Sequence, residues 1–505
     1  MPYANPILPG FYPDPSVCRV GEDYYLVNST FEYFPGVPVF HSRDLVHWQQ
    51  IGHALTRDSQ LPLQDCRPSG GIYAPTIRYH RDTYYMITTN VTGGGNFIVT
   101  AKDPAGPWCE PVWLTAEGID PSLFFDDDGA CYLQGIGNAN GRPHICQTQI
   151  DPVNGKPLSD TRILWYGTGG RYPEGPHLYK IDGLYYLMIA EGGTEYGHMV
   201  TIARSHAPWG PFEGCPHNPI LSHRNHGMSE IQGTGHGELI HAHDGSWWMV
   251  FLAFRQTLPM LHNLGRETFL APVRWQDGWP IVHEGQAITE HMDVPALPAM
   301  AAPPIPVRDD FDNGQLAPNW VHLRNPNPGD YSLTQRPGWL RLRGNEHTLD
   351  DLASPAFVCR RQQHMQCEAS TLLRFEPGRE GEEAGITVFY DATHHYDLAV
   401  TMQDGEKKIV LNKTVGDISI VDNAIPYNGG AVVLQVRASR SQYEFLFTAD
   451  GITLRAGSGN TAPLTSEACG VSFTGVMIGL YATGNGAPCG APADFDWYDY
   501  KIVRP

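Results

Sequence analysis

The sequence predicts an all-β protein in which a five-bladed β-propeller precedes an antiparallel β-sandwich. Three observations lead to this fold class. The 505 residues include 54 glycines and 42 prolines, and long runs of strong helix formers are rare, which favours short strands joined by turns. An aromatic strand pattern recurs five times in roughly the first 300 residues. A Pro- and Ala-rich stretch then precedes a second set of alternating strands.

The five aromatic repeats define the predicted blades. Each repeat begins with Asp and a small or turn-forming residue, a hairpin signal when an aromatic strand follows. The repeats lie far enough apart for one four-stranded blade each, so residues 1–295 are predicted to form the propeller. The repeats are EDYYLVNS at 22–29, DTYYMITT at 82–89, DGACYLQG at 128–135, DGLYYLMI at 182–189 and DGSWWMVF at 244–251.

A second set of phrases precedes the aromatic strands and marks the predicted start of each innermost strand. These phrases are PDPSV at 13–17, APTI at 74–77, DPSL at 120–123, PEGPHL at 173–178 and GHGEL at 235–239. Innermost strands surround the central channel of a propeller, so equivalent positions in the five blades converge on its axis. The residues expected to meet there are Asp14, Ala74, Asp120, Glu174 and His236.

Three carboxylates in one partly desolvated cleft raise one another's pKa, so that one stays protonated while another ionises. Such a pair performs glycoside hydrolysis, in which one acid protonates the leaving oxygen and another carboxylate activates water or attacks the anomeric carbon. Two alternatives remain at this point. Asp14, Asp120 and Glu174 are also residue types of turns and of hard-cation sites. His236 is expected to contact an ion or water in the channel, or to serve as a structural hydrogen-bonding residue.

Two aromatic residues and one arginine are candidates for binding a sugar. Phe31 and Tyr73 lie near the predicted blade tops, where an aromatic face stacks on a sugar ring. Arg266, in LGRETFL, can donate fixed hydrogen bonds to hydroxyl groups and pair with an acid. Packing between blades explains such aromatics equally well, and a surface ion pair explains the arginine.

Composition excludes several classes of function. The net charge of −20 disfavours a nucleic-acid partner, and no stretch approaches the length of a membrane span. The ten cysteines are scattered singly without a CxxC pair, so a zinc or dithiol redox centre is not expected. The N-terminal sequence MPYANPILPG has no secretory pattern, and a cytoplasmic protein with reduced thiols is predicted. A homo-oligomer is compatible with these features.

The region after the propeller is predicted to be a separate β-sandwich. Residues 296–307 form a Pro- and Ala-rich linker, and residues 308–505 contain alternating strands separated by turns. This domain is expected to act either as a sugar-binding module or as a cover over the propeller, with the turn-rich segment 482–492 as the candidate covering loop. The acidic stretches 308–312 and 493–500 suggest a structural calcium site with Asp496 as a ligand, although solvated edge charges explain them equally well.

The motifs together resemble glycoside hydrolase family 43, in its two-domain group of β-xylosidases and α-L-arabinofuranosidases. The resemblance spans essentially the whole chain, and its motifs occur in the expected order. They are NPILPGFYPDPSV, STFEYFPGVPVFHSRDLVHW, GIYAPTI, GIDPSLFFDDDG, YPEGPHLYK, GTGHGEL and GRETFLAPVRWQDGWP. The resemblance implies a five-bladed propeller, a concanavalin-like C-terminal domain that covers the funnel, and action at chain ends.

The resemblance also implies a role for each candidate residue. Asp14 is the general base, Glu174 the general acid, and Asp120 the residue that orients Glu174 and tunes its pKa. The implied reaction is a single displacement with inversion, which separates base and acid by about 6.5–9.5 Å. Phe31 and Arg266 match positions that shape the glycone pocket, whereas Tyr73 stands where β-xylosidases often have Trp. His236 matches a histidine that contacts a calcium ion or water in the channel.

The predicted function is therefore the exo-acting, inverting release of terminal β-D-xylose from short xylo-oligosaccharides. The predicted chemistry requires no cofactor, and calcium is considered only as a structural ion. The nearest alternative is hydrolysis of terminal α-L-arabinofuranose, as a side activity or as the main one. A non-catalytic carbohydrate-binding propeller and a transglycosidase of the fructan type are less well supported. The three acids are all present, and the chain has Tyr-Pro-Asp-Pro-Ser where fructan enzymes have Asn-Asp-Pro-Asn-Gly.

Overall fold

The computed structural model describes residues 2–293, 297, 307–470 and 472–503. Its strands form five sheets of four or five strands, two sheets of eight strands and one two-stranded ribbon. Helical structure in the described part is limited to two short 3₁₀ helices, His283–Gly285 and Ala462–Leu464. Among the described residues, no helix has the length and apolar character needed to cross a membrane.

The N-terminal part contains the strands of five blades, which follow one another along the chain. Strand β1 (Tyr3–Ala4) comes first, and blade 1 contains β2 (Ser16–Val20), β3 (Asp23–Val27), β5 (Gly36–Ser42) and β6 (Gln49–Leu55), with β4 (Tyr33–Phe34) outside its sheet. Blade 2 contains β7 (Ile72–His80), β8 (Thr83–Asn90), β9 (Gly95–Ala101) and β10 (Val112–Trp113). Blade 3 contains β11 (Ser122–Phe125), β12 (Cys131–Ala139), β13 (Arg142–Ile150) and β14 (Arg162–Trp165).

The last two blades follow the same plan. Blade 4 contains β15 (Glu174–Ile181), β16 (Leu184–Glu191), β17 (Met199–Ser205), β18 (Glu213–Gly214) and β19 (Leu221–Ser222). Blade 5 contains β20 (Ile231–His241), β21 (Trp247–Arg255), β22 (Glu267–Gln276) and β23 (Trp279–Val282), and β24 (His291–Met292) follows it. The five aromatic repeats form the second strand of each blade, so the predicted propeller is confirmed.

The blades close into a ring around their innermost strands. Strand β2 contacts β7 and β20, β11 contacts β7 and β15, and β15 contacts β20, so each innermost strand touches two others. The N-terminal segment that precedes blade 1 is joined to blade 5 and the strand after it. Strand β1 pairs antiparallel with β24, and Leu8 exchanges backbone hydrogen bonds with Thr268 of blade 5. The start of each innermost strand therefore faces one common axis, as the repeated phrases predicted.

The C-terminal part is an antiparallel sandwich of two sheets. In chain order its strands are β25 (Arg308–Asp309), β26 (Val321–Leu323), β27 (Tyr331–Ser332), β28 (Leu340–Leu342), β29 (Ala356–Arg361), β30 (Cys367–Arg374), β31 (Glu383–Asp391), β32 (His394–Gln403), β33 (Glu406–Val415), β34 (Ile418–Pro426), β35 (Ala431–Ala438), β36 (Gln442–Ala449), β37 (Ile452–Asn460), β38 (Met477–Thr483) and β39 (Ala493–Ile502). One sheet has the order β27-β28-β39-β30-β35-β36-β37, with β25 on β39, and the other has the order β34-β33-β32-β31-β38-β29-β26-β4. The alternating strands bury one face between these sheets, as in Ile386, Leu398, Leu434 and Phe445.

The second sheet of the sandwich incorporates a strand from the propeller region. Strand β4 pairs with β26 through the register Tyr33↔Leu323. A hydrophobic cluster lies at the same junction and contains side chains from both parts, including Phe11, Phe31, Phe389 and Met477. The two parts are therefore joined by backbone hydrogen bonds and by a shared apolar core, and the loop between β3 and β5 of blade 1 is held against the sandwich.

The predicted linker, residues 296–307, lies mostly outside the described residues. Leu297 is described and is buried in the hydrophobic cluster that packs blade 5 against its neighbours. The domain limits at 295 and 308 stay a prediction.

Candidate active site

The structure brings together the residues that the repeated phrases placed at the axis. One cavity is lined by a residue from the start of each innermost strand and by the three predicted sugar-binding residues. Those residues are Asp14, Ala74, Asp120, Glu174, His236, Phe31, Tyr73 and Arg266, and the cavity is completed by Ile119, Thr194 and Phe473. Residues far apart in the sequence thus form a single site at the end of the propeller axis.

Local backbone geometry explains how three of these side chains enter the cavity. Asp14, Asp120 and His236 have φ angles of 51°, 53° and 42°, in the left-handed region that ordinary residues seldom adopt. Asp is among the residues that tolerate this region best. The repeated Asp-Pro-Ser phrase therefore encodes a turn that begins the innermost strand and presents a carboxylate to the axis.

Blade 4 departs from the predicted alignment by one residue. The residue with the matching left-handed φ is Gly175, at 55°, and the Pro that follows Asp14 and Asp120 follows Gly175 here. The acid Glu174 therefore precedes the equivalent position, and a bulge lies between it and His177. A Cβ atom at Gly175 would lie 2.7 Å from His236 Nε2, so the close approach of the imidazole excludes a side chain there.

Asp14 is surrounded by groups that favour its ionised form. Ser29 Oγ donates a hydrogen bond of 2.6 Å to Asp14 Oδ2. Arg266 Nη1 and His236 Nδ1 lie 3.2 and 3.4 Å from Asp14 Oδ1. Burial opposes ionisation of Asp14, but Arg266, His236 and Ser29 together outweigh it and hold its pKa below the ordinary value. Asp14 is therefore a carboxylate that can accept a proton.

The other two acids have the opposite tendency. Burial and the nearby charge of Asp14 raise the pKa of Asp120 to about 6, against the lowering effect of His236. Burial, followed by the charges of Asp120 and Asp14, raises the pKa of Glu174 well above its ordinary value. One cavity thus contains a carboxylate whose pKa is lowered and a carboxylic acid whose pKa is raised, the separation that glycoside hydrolysis requires.

Three aromatic rings form one wall of the cavity. The Phe31 ring lies 5.3 Å from Tyr73 and 5.8 Å from Phe473, and Tyr73 lies 5.8 Å from Phe473, all between ring centroids. The Arg266 guanidinium stands over the rings of Phe31 and Phe473, at 5.7 and 5.3 Å. The predicted residues Phe31, Tyr73 and Arg266 therefore lie together, with an apolar surface beside fixed donors.

Phe473 is the contribution of the sandwich to this wall. The backbone oxygen of Phe473 accepts a hydrogen bond of 3.3 Å from Arg266 Nη2. The segment 482–492, which the sequence suggested as the covering loop, does not line the cavity. Its backbone instead bonds to Gly344, Asn345 and Glu346 within the sandwich. A segment of the sandwich does reach the cavity, through Phe473, but the predicted segment 482–492 is not that segment.

The model of glycosyl hydrolases family 43 matches residues 3–280, and the model of the beta xylosidase C-terminal Concanavalin A-like domain matches residues 308–501. The chain belongs to glycosyl hydrolases family 43. A non-reducing end α-L-arabinofuranosidase of Bacteroides ovatus is 45% identical over 99% of this chain and 95% of its own length. A xylosidase/arabinosidase of Butyrivibrio fibrisolvens is 40% identical over 99% of both chains.

Solved structures agree with these sequence relationships. The structure described as Bacteroides ovatus xyloglucan PUL GH43B superimposes with a TM-score of 0.96 at 44% identity, over 100% of both chains. A xylan β-1,4-xylosidase of Bacillus halodurans superimposes with a TM-score of 0.91 at 37% identity, over 99% of this chain and 100% of the other. The chain is thus a glycoside hydrolase with a propeller and a concanavalin-like sandwich, as its sequence motifs predicted.

Three residues of this family 43 site, Thr194, Ser29 and Phe473, were not predicted. Arg266 Nη1 donates a hydrogen bond of 2.9 Å to Thr194 Oγ1, and Thr194 follows strand β16 in blade 4. Ser29 donates to Asp14, and the backbone oxygen of Phe473 accepts from Arg266. Thr194 and Ser29 belong to short polar turns that look like many others, and Phe473 lies in a different domain, so no local sequence signal identifies them.

Ser69 connects two parts of the aromatic wall. Its backbone oxygen accepts a hydrogen bond of 2.8 Å from the Tyr73 hydroxyl. Its Oγ accepts one of 2.9 Å from the backbone N–H of Phe473 and lies 3.0 Å from Ser472 Oγ. Its own N–H donates to Glu32 Oε2 at 3.0 Å. One buried serine therefore fixes Tyr73 of the propeller relative to Phe473 of the sandwich.

The two predicted ion ligands lie in different surroundings. His236 lines the cavity beside Asp14, whereas Asp496 is half-buried on β39 in the sandwich. The acidic stretches do pair, through Arg308↔Asp499. The described residues contain one group of three side chains spaced to hold a metal ion, Asp391, His394 and Cys469, and Asp496 is not part of it. Calcium at His236 or Asp496 stays a prediction.

Proposed function

We propose that this protein is an exo-acting, inverting hydrolase that releases terminal β-D-xylose from xylo-oligosaccharides. The observation that carries the proposal is the opposite perturbation of two acids in one cavity. The pKa of Asp14 is lowered and that of Glu174 is raised. A propeller that only bound sugar would not need two acids with oppositely shifted pKa values. A role of these acids in turns alone does not explain the shifts either.

The proposed reaction is a single displacement. Asp14 accepts a proton from a water molecule as that water attacks the anomeric carbon, while Glu174 donates its proton to the departing glycosidic oxygen. Asp120 acts through its charge, which raises the pKa of Glu174 and keeps the acid protonated until the bond breaks. Ser29 and Arg266 hold Asp14 in its ionised form.

The shape of the cavity supports action at a chain end. The start of each innermost strand lines the site, and Phe473 from the sandwich stands beside Phe31 at its wall. A terminal pentose can insert its apolar face against these rings while Arg266 donates to its hydroxyl groups. An internal sugar of a long chain would need the cavity to be open on both sides.

Terminal α-L-arabinofuranose is the second candidate substrate. The Bacteroides ovatus relative, 45% identical to this chain, is an α-L-arabinofuranosidase, whereas a Bacillus subtilis relative, 34% identical, is a β-xylosidase. Tyr73, which stands where β-xylosidases often have Trp, has a smaller side chain than Trp, which favours a furanose ring of different shape. The mechanism is the same for both sugars.

The decisive test compares hydrolysis of nitrophenyl β-D-xyloside and nitrophenyl α-L-arabinofuranoside, and of xylobiose, by the wild type and Glu174→Gln. A dominant xyloside rate supports the proposed substrate, and a dominant arabinoside rate selects the alternative. Loss of general acid catalysis costs about 10²- to 10⁴-fold. The loss in Glu174→Gln should be greater on xylobiose than on the nitrophenyl glycoside, whose leaving group needs little protonation. Equal losses, or full activity of the variant, would contradict the assigned role.

We also propose that the protein acts on small oligosaccharides in the cytoplasm and does so without a cofactor. Its ten cysteines are all unpaired in the structure, which is the state expected in a reducing compartment. Association into a homo-oligomer is a further prediction that sedimentation of the purified protein tests.

A further inference from the structure

A second cavity, of about 260 Å³, lies on the sandwich. It is built on one face of the second sheet, from strands β31, β32, β33, β34 and β38, and is bordered by the loop 348–350. All of its lining residues belong to the sandwich. Its size is close to the lower end of the range of small-molecule sites, about 300 Å³. The reaction proposed for the propeller does not use this cavity.

Buried polar side chains form the floor of this second cavity. His395 is held between two carboxylates, with Nδ1 2.8 Å from Asp397 Oδ2 and Nε2 3.1 Å from Asp350 Oδ1. Burial disfavours the imidazolium, but Asp397 and Asp350 outweigh it and raise the pKa of His395 to about 10. Glu383 accepts hydrogen bonds of 2.6 Å from the Tyr481 hydroxyl and 3.1 Å from Asn412 Nδ2.

One atom on this floor has no partner. Asp397 is only 5% exposed, and its Oδ2 is bonded to His395, but its Oδ1 is buried without a hydrogen bond. Buried carboxylate oxygens almost always accept hydrogen bonds, because leaving one unpaired costs free energy. An O–H donor from a ligand in the cavity would satisfy this oxygen. This atom is the observation that distinguishes the cavity from an ordinary surface depression.

The charges and walls of the cavity define the class of ligand. Two basic residues, His395 and Lys413, line the cavity beside its acids. Both are already paired with carboxylates, His395 with Asp350 and Asp397 and Lys413 with Asp422 at 2.9 Å, which disfavours an anion as ligand. A metal ion is disfavoured because both ring nitrogens of His395 are already engaged with carboxylates. The walls add the aliphatic side chains of Ile420 and Val421, which are 50% and 54% exposed. A ligand that fits donates hydroxyl groups to the floor and places C–H groups against these side chains.

We propose that this cavity is a second saccharide-binding site, which takes a neutral sugar of the class hydrolysed in the propeller. The choice of a xylo-oligosaccharide as ligand rests on the proposed function. The hydroxyl groups of the sugar donate to Asp397 Oδ1 and exchange hydrogen bonds with the Glu383–Asn412 pair, and its ring lies against Val421. The site binds sugar without hydrolysing it and holds oligosaccharide on the face of the sandwich.

The test is equilibrium dialysis of radiolabelled xylobiose against the Glu174→Gln protein, which retains the substrate without rapid turnover. At saturation this protein should bind a second xylobiose molecule beyond the one in the propeller. The second molecule should be lost when Asp397→Ala is added, and also when Val421→Arg is added at the exposed mouth. The Val421→Arg change leaves the buried floor intact, so it remains informative where Asp397→Ala does not fold. Ile452→Arg is the matched control, because Ile452 is 63% exposed on an edge strand of the other sheet.

The outcomes separate this inference from the proposed function. Binding of a single molecule that Arg266→Ala abolishes and Val421→Arg does not would overturn the second site and leave the proposed function intact. Binding of a single molecule that Val421→Arg abolishes and Arg266→Ala does not would support the second site and contradict the propeller assignment. Retention of the second molecule in both Asp397→Ala and Val421→Arg would also overturn the inference. In the wild-type background, Val421→Arg should leave hydrolysis of nitrophenyl β-D-xyloside unchanged.

Discussion

Arg266 is the positive charge closest to the proposed base, and its removal should change the pH dependence of hydrolysis. In the wild type, kcat/KM should fall at low pH as Asp14 becomes protonated and at high pH as Glu174 loses its proton. Arg266 lowers the pKa of both acids. Their pKa values in Arg266→Met should therefore rise, so both limbs of the profile should move to higher pH while the maximal rate falls.

The measurement is kcat/KM for nitrophenyl β-D-xyloside as a function of pH. Arg274→Met serves as the control, since Arg274 forms an exposed ion pair with Glu284 and should leave the profile unchanged. An acidic limb that stays in place in Arg266→Met would show that Asp14 is not the group that limits the rate at low pH.

Ser69 offers a test of how the aromatic wall is held. Ser69→Ala removes the acceptor of the Phe473 N–H but leaves the backbone contact with Tyr73. A hydrogen bond of this kind contributes about 1 kcal/mol, so KM should rise several-fold with a smaller change in kcat. Ser472→Ala is the matched control, because it removes one hydroxyl of the same network and keeps the bond to Phe473. An equal rise in KM in Ser69→Ala and Ser472→Ala would contradict the role of the Ser69 hydroxyl in holding Phe473.

Among single residues, the sequence predicted the acids better than their partners. Asp14 and Asp120 were identifiable because the same turn phrase carries both, and the left-handed φ of that turn explains why Asp occupies it. Thr194 and Ser29 were not identifiable, because their contacts depend on where separate loops meet in space. A residue whose role follows from its own backbone conformation leaves a local signal, and a residue whose role follows from a neighbour does not.

At the scale of one strand, the start of β15 sets the position of the acid. Gly175 has a φ of 55° and lies against the imidazole of His236. Gly175→Ala introduces left-handed strain of about 1–2 kcal/mol together with a clash that displaces Glu174 or His236. We expect a fall in kcat of at least about tenfold, the equivalent of 1.4 kcal/mol.

The same blade provides a control for backbone strain. Gly183, in the hairpin between β15 and β16, has a φ of 81° and no atom within 4 Å of a Cβ placed on it. Gly183→Ala should therefore lower the melting temperature to a similar extent without reducing kcat. Similar activity in both variants, measured on nitrophenyl β-D-xyloside, would show that the contact with His236 does not position the site.

The strands themselves were predictable to different degrees. The aromatic second strands stood out because an Asp-containing turn precedes each one, and all five lie where they were expected. The predicted register at the start of β15 is wrong by one residue, because it aligns Glu174 with the other acids, whereas the residue before Pro is the equivalent position. Strand β4 could not be predicted, since its two residues, Tyr33 and Phe34, pair with a strand nearly 300 residues away.

At the scale of the whole molecule, the propeller and the sandwich should unfold together. They share the β4–β26 pairing and the cluster that contains Phe11, Val321 and Met477. Calorimetry of the wild type should therefore show a single transition. Leu323→Ala, at a buried position of this junction, should lower the midpoint through a loss of about 2–5 kcal/mol and retain one transition.

The control for this change is Leu454→Ala, at a side chain that is 46% exposed on β37, which should leave the midpoint nearly unchanged. Two well-separated transitions in the wild type would contradict the coupling of the two parts. The sequence predicted both parts and the need for a cover, but it could not locate Phe473. The contact of Phe473 with Phe31 joins residues about 440 positions apart, and only the docking of one domain on the other brings them together.

Two long-range contacts, the pairing of β1 with β24 and the packing of Phe473 against the cavity, bear on how the enzyme folds during its synthesis on the ribosome. The pairing of β1 with β24 cannot form until residue 292 has been synthesised, so β1 stays unpaired while the blades that follow it fold. The cavity gains its last wall only when residue 473 has been synthesised. A nascent chain thus carries all three acids in an unfinished pocket from residue 174 until residue 473 has been added, and activity is expected only after that point.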